Sequence, residues 1–451
     1  MTRTTRGTTA VTALLALAAL QGRAVADAPA AGPAVWQPAG KVLAGAPTTA
    51  DAPPMTPAVT YRDTIKPGET KYYGIALDGT SSAYASAFAV PQPGTRVAYG
   101  DGIELTLQSS SGQDCDSADA HFEAEDDARP VGTAVSRPAG ADLPCQGANQ
   151  YTLQVTRTSA GTSDPGAWPL ELRYVAEPAL KPGARPGPAP QTGTSGTSGT
   201  ASPTPLITGT PHQARGGVSF DTAAAVRTGI WKDKVLPGET RFYWVPVDWG
   251  QRATVFADFS NAQATSDSAY TSSGVMLSAY SPVRRLIDTE STAYQGQAAS
   301  VSEQLAPVAY ANRTVGDSQV SAVRYAGRYY FAVTVHPDVA QGVEGPVPVT
   351  LRIDVTGAAQ AAPAYAGNPA AAGIGIDAHD VSSANGTRAD GGDTSAAGGT
   401  SGMRFLAFAA LGAGTVLLLS LAGWAATARR RAARTVDAVP PQAGYGPPSG
   451  W

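Results

Sequence analysis

The feature that most constrains this chain is a segment it carries twice. Residues 60–79 read TYRDTIKPGETKYYGIALDG and residues 230–249 read IWKDKVLPGETRFYWVPVDW. The two are identical at Asp63/Asp233, Pro67/Pro237, Gly68/Gly238, Glu69/Glu239, Thr70/Thr240, Tyr73/Tyr243 and Asp78/Asp248. Conservative pairs such as Ile65/Val235 and Tyr72/Phe242 lie between them. Agreement this dense requires two copies of one folding unit, and a duplicated unit argues for a scaffold before it argues for a catalyst. The correspondence continues downstream: Gly102–Leu107 matches Gly274–Ala279, Tyr151–Val155 matches Tyr329–Val333, and Pro169–Tyr174 matches Pro348–Ile353.

Each copy reads as strands. Tyr73, Ile75 and Leu77 alternate with other residues, as do Tyr243, Val245 and Val247, the period expected of a half-buried strand. The Pro-Gly before each is turn chemistry: proline presets φ at the first central position and glycine supplies a positive φ at the next. Neither copy has a helical period. Short strands broken by Gly, Pro, Asn and Asp imply an antiparallel β-sandwich, so the chain is read as all-β, with sandwiches at 60–177 and 218–356. Pro246 places its strand at a sheet edge in the second copy.

The order Pro-Gly-Glu-Thr, an aromatic strand, Asp248-Trp249-Gly250, a Gly-led strand and a Tyr-rich strand resembles the bacterial pre-peptidase C-terminal domains. That resemblance implies jelly-roll-like sandwiches of exported proteins. It departs from the family where an Asp-Leu start of the middle strand is replaced by Gly-Ile and Gly-Val, and no protease domain accompanies it. The layout also resembles membrane-anchored surface proteins of Streptomyces and relatives, which implies no activity.

The ends bound the compartment. Arg3 and Arg6 precede an apolar run, Ala10–Leu20, and Ala24-Val25-Ala26 is a small-x-small site. Residues 1–26 are thus expected to be a secretory signal peptide. Residues 405–428 carry no charge; at 1.5 Å per residue such a helix reaches about 36 Å, enough to span a bilayer. Arg429, Arg430, Arg431 and Arg434 follow at once and set the cytoplasmic side. The expectation is a single transmembrane helix at 404–428, the N-terminus outside and a cytoplasmic tail at 429–451. The Ala/Pro-rich 27–59, the Pro/Gly/Ser/Thr-rich 178–217 and the Ala/Gly-rich 357–403 hold few bulky apolar residues and read as a disordered segment, a linker and a stalk.

Two cysteines, Cys115 and Cys145, read as a disulfide outside the cytoplasm; a redox or metal pair is the alternative. A net charge of −4 argues against nucleic acid. No nucleophile elbow, zinc-protease helix or phosphate loop occurs, so no cofactor and no enzyme are expected. Two clusters remain. Asp114, Asp116 and Asp119, with His121 and the acids at 123–127, are hard oxygen donors suited to Ca²⁺, or else a solvated acidic loop. Phe242 and Trp244 point opposite to Tyr243 and, with Trp249, form either an exposed aromatic platform for sugar rings or a partner, or a face covered by a loop or the other domain. The functional expectation is a non-enzymatic surface protein whose modules bind a protein or cell-wall partner. An envelope polysaccharide-binding module is the alternative, followed by a hydrolase using His121.

Overall fold

The turn that opens each copy takes the shape its sequence requires. In the computed structural model Gly68 and Gly238 have φ of 69° and 79°. The amides of Glu69 and Glu239 close onto the carbonyls of Lys66 and Leu236 at 3.1 and 3.0 Å, a turn that needs a residue free to take positive φ at its third position. The structure describes residues 32–34, 40–140, 143, 145–184, 207–265, 270–386, 388–391, 444 and 450. The expected signal peptide, transmembrane helix and Arg429, Arg430, Arg431 and Arg434 lie outside the described residues, among which no helix is long and apolar enough to cross a membrane.

The first copy contains β1 (Lys41–Val42), β2 (Pro54–Met55), β3 (Thr60–Ile65), β4 (Thr70–Leu77), β5 (Ser82–Ala89), β6 (Gly102–Gln108), β7 (Asp114–His121), β8 (Val131–Arg137), β9 (Asn149–Thr158) and β10 (Trp168–Glu177). They form two five-stranded sheets, ordered β1-β3-β10-β5-β8 and β2-β4-β9-β6-β7. The second contains β11 (His212–Arg215), β12 (Ala224–Ala225), β13 (Gly229–Val235), β14 (Thr240–Val247), β15 (Arg252–Phe259), β16 (Val275–Tyr280), β17 (Leu286–Thr292), β18 (Ala299–Gln304), β19 (Gly327–Val335) and β20 (Val347–Thr356). Its sheets are ordered β18-β15-β20-β13-β11, extended by β21 (Arg388–Asp390), and β12-β14-β19-β16-β17. Strands β11 to β20 are thus the counterparts, in order, of β1 to β10, and β21 has none in the first copy. Register agrees as well: Tyr73 faces Leu153 where Tyr243 faces Phe331, and Asp63 faces Leu170 where Asp233 faces Val349.

Each pair of sheets encloses its own core. Tyr73, Ile75, Leu105 and Leu153 from one sheet meet Ile65, Ala85, Leu170 and Leu172 from the other. In the second copy Tyr243, Val245, Leu277 and Val333 meet Trp231, Val255, Val349 and Leu351. Pro246 lies beyond the two-residue pairing of β12 with Ala224↔Tyr243 and Ala225↔Trp244, on a free stretch of edge that tolerates a missing N–H.

The two sandwiches also join through their outer faces. β5 is buried at every position, which needs a second partner for residues pointing away from its own core. Phe88 of β5 packs on Phe220 and Tyr280, with ring centroids 4.6 and 5.8 Å apart. Phe220 in turn stacks on Phe242 and Tyr330. Of the two readings of Phe242 and Trp244, the covered face is the one formed: both side chains are buried at the seam. Trp249 is buried in its own copy's core. Apolar area of this size is stable only when covered, and the neighbouring sandwich covers it.

Three other expectations change. β1 and β2 arise within 27–59 and β11 within 178–217, because each adds a short parallel strand to an edge of the adjoining sandwich. The segment after Thr356 is not a coil throughout its length. Tyr365 and Ile374 are buried, Lys181 and Ala366 exchange backbone bonds with Ala364 and Ala179, and a short helix, α1 (Ala378–Ala384), is closed by a capping box at Asp377 and Asp380. A few anchors suffice where a seam is already waiting, which low apolar content hides. Finally, Asp114–His121 is an edge strand and not a loop.

Candidate functional site

The repeated aspartate and tyrosine form a strut between the sheets of each copy. β1 and β11 leave β3 and β13 after two paired residues, which exposes backbone amides toward the interior. In the first copy the Asp63 carboxylate accepts the Gly45 amide at 2.8 Å, the Tyr73 hydroxyl at 2.8 Å and the Lys71 ammonium at 2.9 Å. In the second, Asp233 accepts the Gly216 amide at 2.7 Å and the Tyr243 hydroxyl at 2.6 Å. Burial, then the adjacent carboxylate, pushes both tyrosine hydroxyls up. Such a bond satisfies groups that would be costly to bury alone.

The copies diverge at one neighbouring residue. Arg241 occupies the place of Lys71, but its guanidinium turns to Glu239 at 2.5 Å and to the Gly216 carbonyl at 3.0 Å. Glu239 is also bound by the amides of Leu236 and Ala34, so the arginine fork is held by fixed acceptors. Among the described residues no lysine or arginine side chain then touches Asp233 as Lys71 touches Asp63. A pocket of about 500 Å³ opens there, with Asp233 and Arg241 in its wall, Lys232 and Lys234 at its rim, and Gln213, Ser260 and Thr350 beside them. Burial raises the Asp233 carboxyl, opposed by its hydrogen bonds to Tyr243, Gly216 and Lys234 and by Arg241. Cations at the mouth, neutral hydroxyl and amide groups on the wall and a held carboxylate suit a polar, acidic, hydroxyl-bearing ligand.

The acidic cluster does not converge. A strand sends successive side chains to opposite faces. Asp116 points to β8, where it accepts the amide and hydroxyl of Ser136 at 2.7 and 3.1 Å. Asp119 is exposed and pairs with His121 Nδ1 at 3.1 Å. Asp114 accepts from the Gln108 amide at 2.9 Å. Among the described residues no group of three or more His, Cys, Asp or Glu side chains is placed to hold a metal ion, which gives the calcium reading no support. Cys115 and Cys145 are disulfide-bonded, with Cα atoms 5.7 Å apart; the bridge ties β7 to the chain leading into β9. Asp119 and His121 line a cleft of about 310 Å³ that Ser278, Tyr280 and Thr289 close from the second copy.

One titratable residue escaped the sequence reading. Glu303 is buried, and burial, reinforced by Asp288 and Glu290, raises its carboxyl to about 8. The signal was available in the duplication: the paired strands align Glu303, opposite Val255, with Val135, opposite Ala85. A carboxylate standing where its copy has valine marks a perturbed group.

No protein-family model matches the chain, and no curated protein matches it. Among solved structures it is similar to the tandem CBM22-1–CBM22-2 domains of Xyn10C from Paenibacillus barcinonensis, at 11% identity over 66% of this chain and 86% of that one, with a TM-score of 0.17. It is similar also to the CUB1-EGF-CUB2 domains of human MASP-1/3, at 7% identity over 65% and 99% with a TM-score of 0.15. A third is the ANX1 ectodomain from Arabidopsis thaliana, at 9% identity over 66% and 84% with a TM-score of 0.16. At such values these likenesses carry no argument about what this chain binds.

Proposed function

We propose that the chain is a non-enzymatic, membrane-anchored extracytoplasmic protein whose second sandwich binds an acidic envelope polysaccharide in the pocket over Asp233. The observation that carries this reading is the divergence of two otherwise matched sites: Lys71 pairs with Asp63 in the first, whereas Arg241 pairs with Glu239 in the second, where a pocket lies beside Asp233. A volume of about 500 Å³ falls in the range of small-molecule sites. The rim lysines favour an acidic polymer by charge. The resemblance to pre-peptidase C-terminal domains supports placement on an exported protein. The signal sequence at 1–26 and the apolar 404–428 with its arginines support anchoring, with the sandwiches outside.

The test uses the full chain in detergent. Titration with an oligogalacturonate is expected to show saturable binding, absent with a neutral gluco-oligosaccharide and lost in the Lys232→Glu/Lys234→Glu variant. Equal binding by that variant would sink the assignment. Anchoring is checked separately: in sealed right-side-out membranes protease should remove the sandwiches and leave a tag on the tail. A tag destroyed in intact membranes contradicts the topology.

A hydrolase is the second reading, favoured by one observation: His121 and Asp119 are within hydrogen-bond reach in a cleft that also presents Ser278, as acid–base chemistry requires. His121→Ala should then abolish hydrolysis of an ester or glycoside probe; hydrolysis absent from the wild type, or unchanged in the variant, rejects it.

A further inference from the structure

A second cavity lies where three parts of the chain meet. It holds about 260 Å³ and is walled by Arg173 of the first sandwich, Arg328 and Tyr330 of the second, and Gly373, Asp377 and Asp380 of the segment that follows the second. Arg173 belongs to the outward face of β10, which carries three ionisable residues in alternation: Glu171, Arg173 and Glu177. The two glutamates have partners across the seam. Glu171 meets Arg284 at 2.6 Å, and both are buried. Glu177 receives Arg313 at 2.9 Å, the Tyr365 hydroxyl at 2.8 Å and the Tyr84 hydroxyl at 2.9 Å. Arg173 has no hydrogen bond or ion pair among the described residues, and its Nε is fully buried without an acceptor.

The carboxylates that line the cavity are already engaged. Asp380 takes Arg328 at 2.6 Å, and Asp377 accepts the Asp380 amide at 2.8 Å as the cap of α1. A buried donor without an acceptor is costly, and the guanidinium fork matches the oxygens of a carboxylate or phosphate. Burial first, then the charges of Arg284 and Arg328, push the Arg173 guanidinium pKa down, against the opposing pull of Tyr330 and Asp221. The chain makes room for the group: a Cβ at Gly373 would lie 2.8 Å from an Arg173 terminal nitrogen, and Gly373 has φ of 94°. The cavity is smaller than the usual 300 Å³ or more of drug-sized sites, which restricts the occupant to a small ion.

We propose that this cavity binds a small oxyanion of the phosphate class, held by Arg173, which fastens the 369–380 segment over the seam between the sandwiches. The occupant completes the row of charges on β10: each of its ionised side chains then has a partner contributed from beyond the first sandwich. This site is separate from the pocket over Asp233 and does not depend on it.

Calorimetric titration of the full chain in detergent with inorganic phosphate, at constant ionic strength, should show one saturable site and a phosphate-dependent rise in unfolding temperature that equimolar chloride does not give. Arg173→Gln should lower phosphate affinity at least tenfold, while Arg388→Gln, at an exposed ion pair, should not change it. Ala370→Glu places a carboxylate at the same wall and is expected to remove phosphate binding with the protein folded, which keeps the test informative if Arg173→Gln fails to fold. No saturable phosphate binding by the wild type, or undiminished binding by either Arg173→Gln or Ala370→Glu, overturns the proposal.

Discussion

The two sandwiches hold the same aspartate–tyrosine strut and use it differently. In the first, Lys71 caps Asp63 at 2.9 Å where β1 leaves the sheet. In the second, Arg241 is drawn to Glu239 and leaves a pocket beside Asp233. The strut is structural in both, since it satisfies a buried carboxylate and hydroxyl between two sheets. The copies differ in the neighbours of the strut. The same contrast recurs elsewhere. The first copy has a disulfide and the second none; the second has buried Glu303 where the first has Val135.

The largest expected effect strikes the seam both copies share. Arg284→Ala leaves Glu171 buried without its partner and should cost about 3–5 kcal/mol, read as a lower urea midpoint. The double variant Arg284→Met/Glu171→Leu should recover most of it. A single variant that unfolds like the wild type would mean the sandwiches are not joined through this pair. Next, Cys115→Ser/Cys145→Ser should cost about 3–4 kcal/mol, with hydrogen exchange accelerating in β7 and β8 and not in β17 and β18. Equal acceleration in both copies would break the comparison.

Smaller effects sharpen it. Tyr243→Phe should cost about 1–3 kcal/mol, and Tyr73→Phe less, because Lys71 still reaches Asp63; the reverse order in thermal unfolding would remove the distinction drawn at the strut. Last is a pH effect confined to the second copy. The Glu303 carboxyl is raised from 4.5 to about 8 by burial first and by Asp288 and Glu290 next. Between those values the native group keeps its proton while the unfolded one loses it, so native stability falls as pH rises through that window and stays lowered above it. Glu303→Gln should therefore raise the unfolding free energy by about 1–2 kcal/mol at pH 9 and hardly at all at pH 4. A gain that is equal at both pH values would exclude ionisation as its cause.

Much of the fold was legible from local chemistry. Pro67-Gly68 and Pro237-Gly238 fixed the turns, and the alternation from Tyr73 and Tyr243 fixed which side chains enter the cores. The downstream segments matched between the copies are counterpart strands with the same register, which is set by the buried face. The seam was not legible. Phe242 and Trp244 are apolar whether they face a ligand or a neighbouring sheet, and only the packing of Phe88 and Phe220 against them decides it. The acid-rich Asp114–Asp119 run looked like a loop because charge predicts exposure. An edge strand is exposed too, and pairing with β6 supplies its backbone bonds. The segment beyond Thr356 was misjudged for the opposite reason: its large buried anchors, Tyr365 and Ile374, are sparse in sequence but meet sites prepared by both sandwiches. The pocket could not be read at all, since Lys71 and Arg241 differ conservatively and the turn of Arg241 to Glu239 is visible only in the structure.

That direction can be reversed. Arg241→Lys gives the second copy the residue of the first, and the shorter ammonium should settle on Asp233 as Lys71 does on Asp63. Isothermal titration of the full chain with an oligogalacturonate, alongside a check that Arg241→Lys keeps the wild-type unfolding temperature within a few degrees, tests the account most directly. The account predicts saturable binding by the wild type and at least a tenfold loss in Arg241→Lys. Equal affinity in the two proteins, or no binding by the wild type, would contradict it.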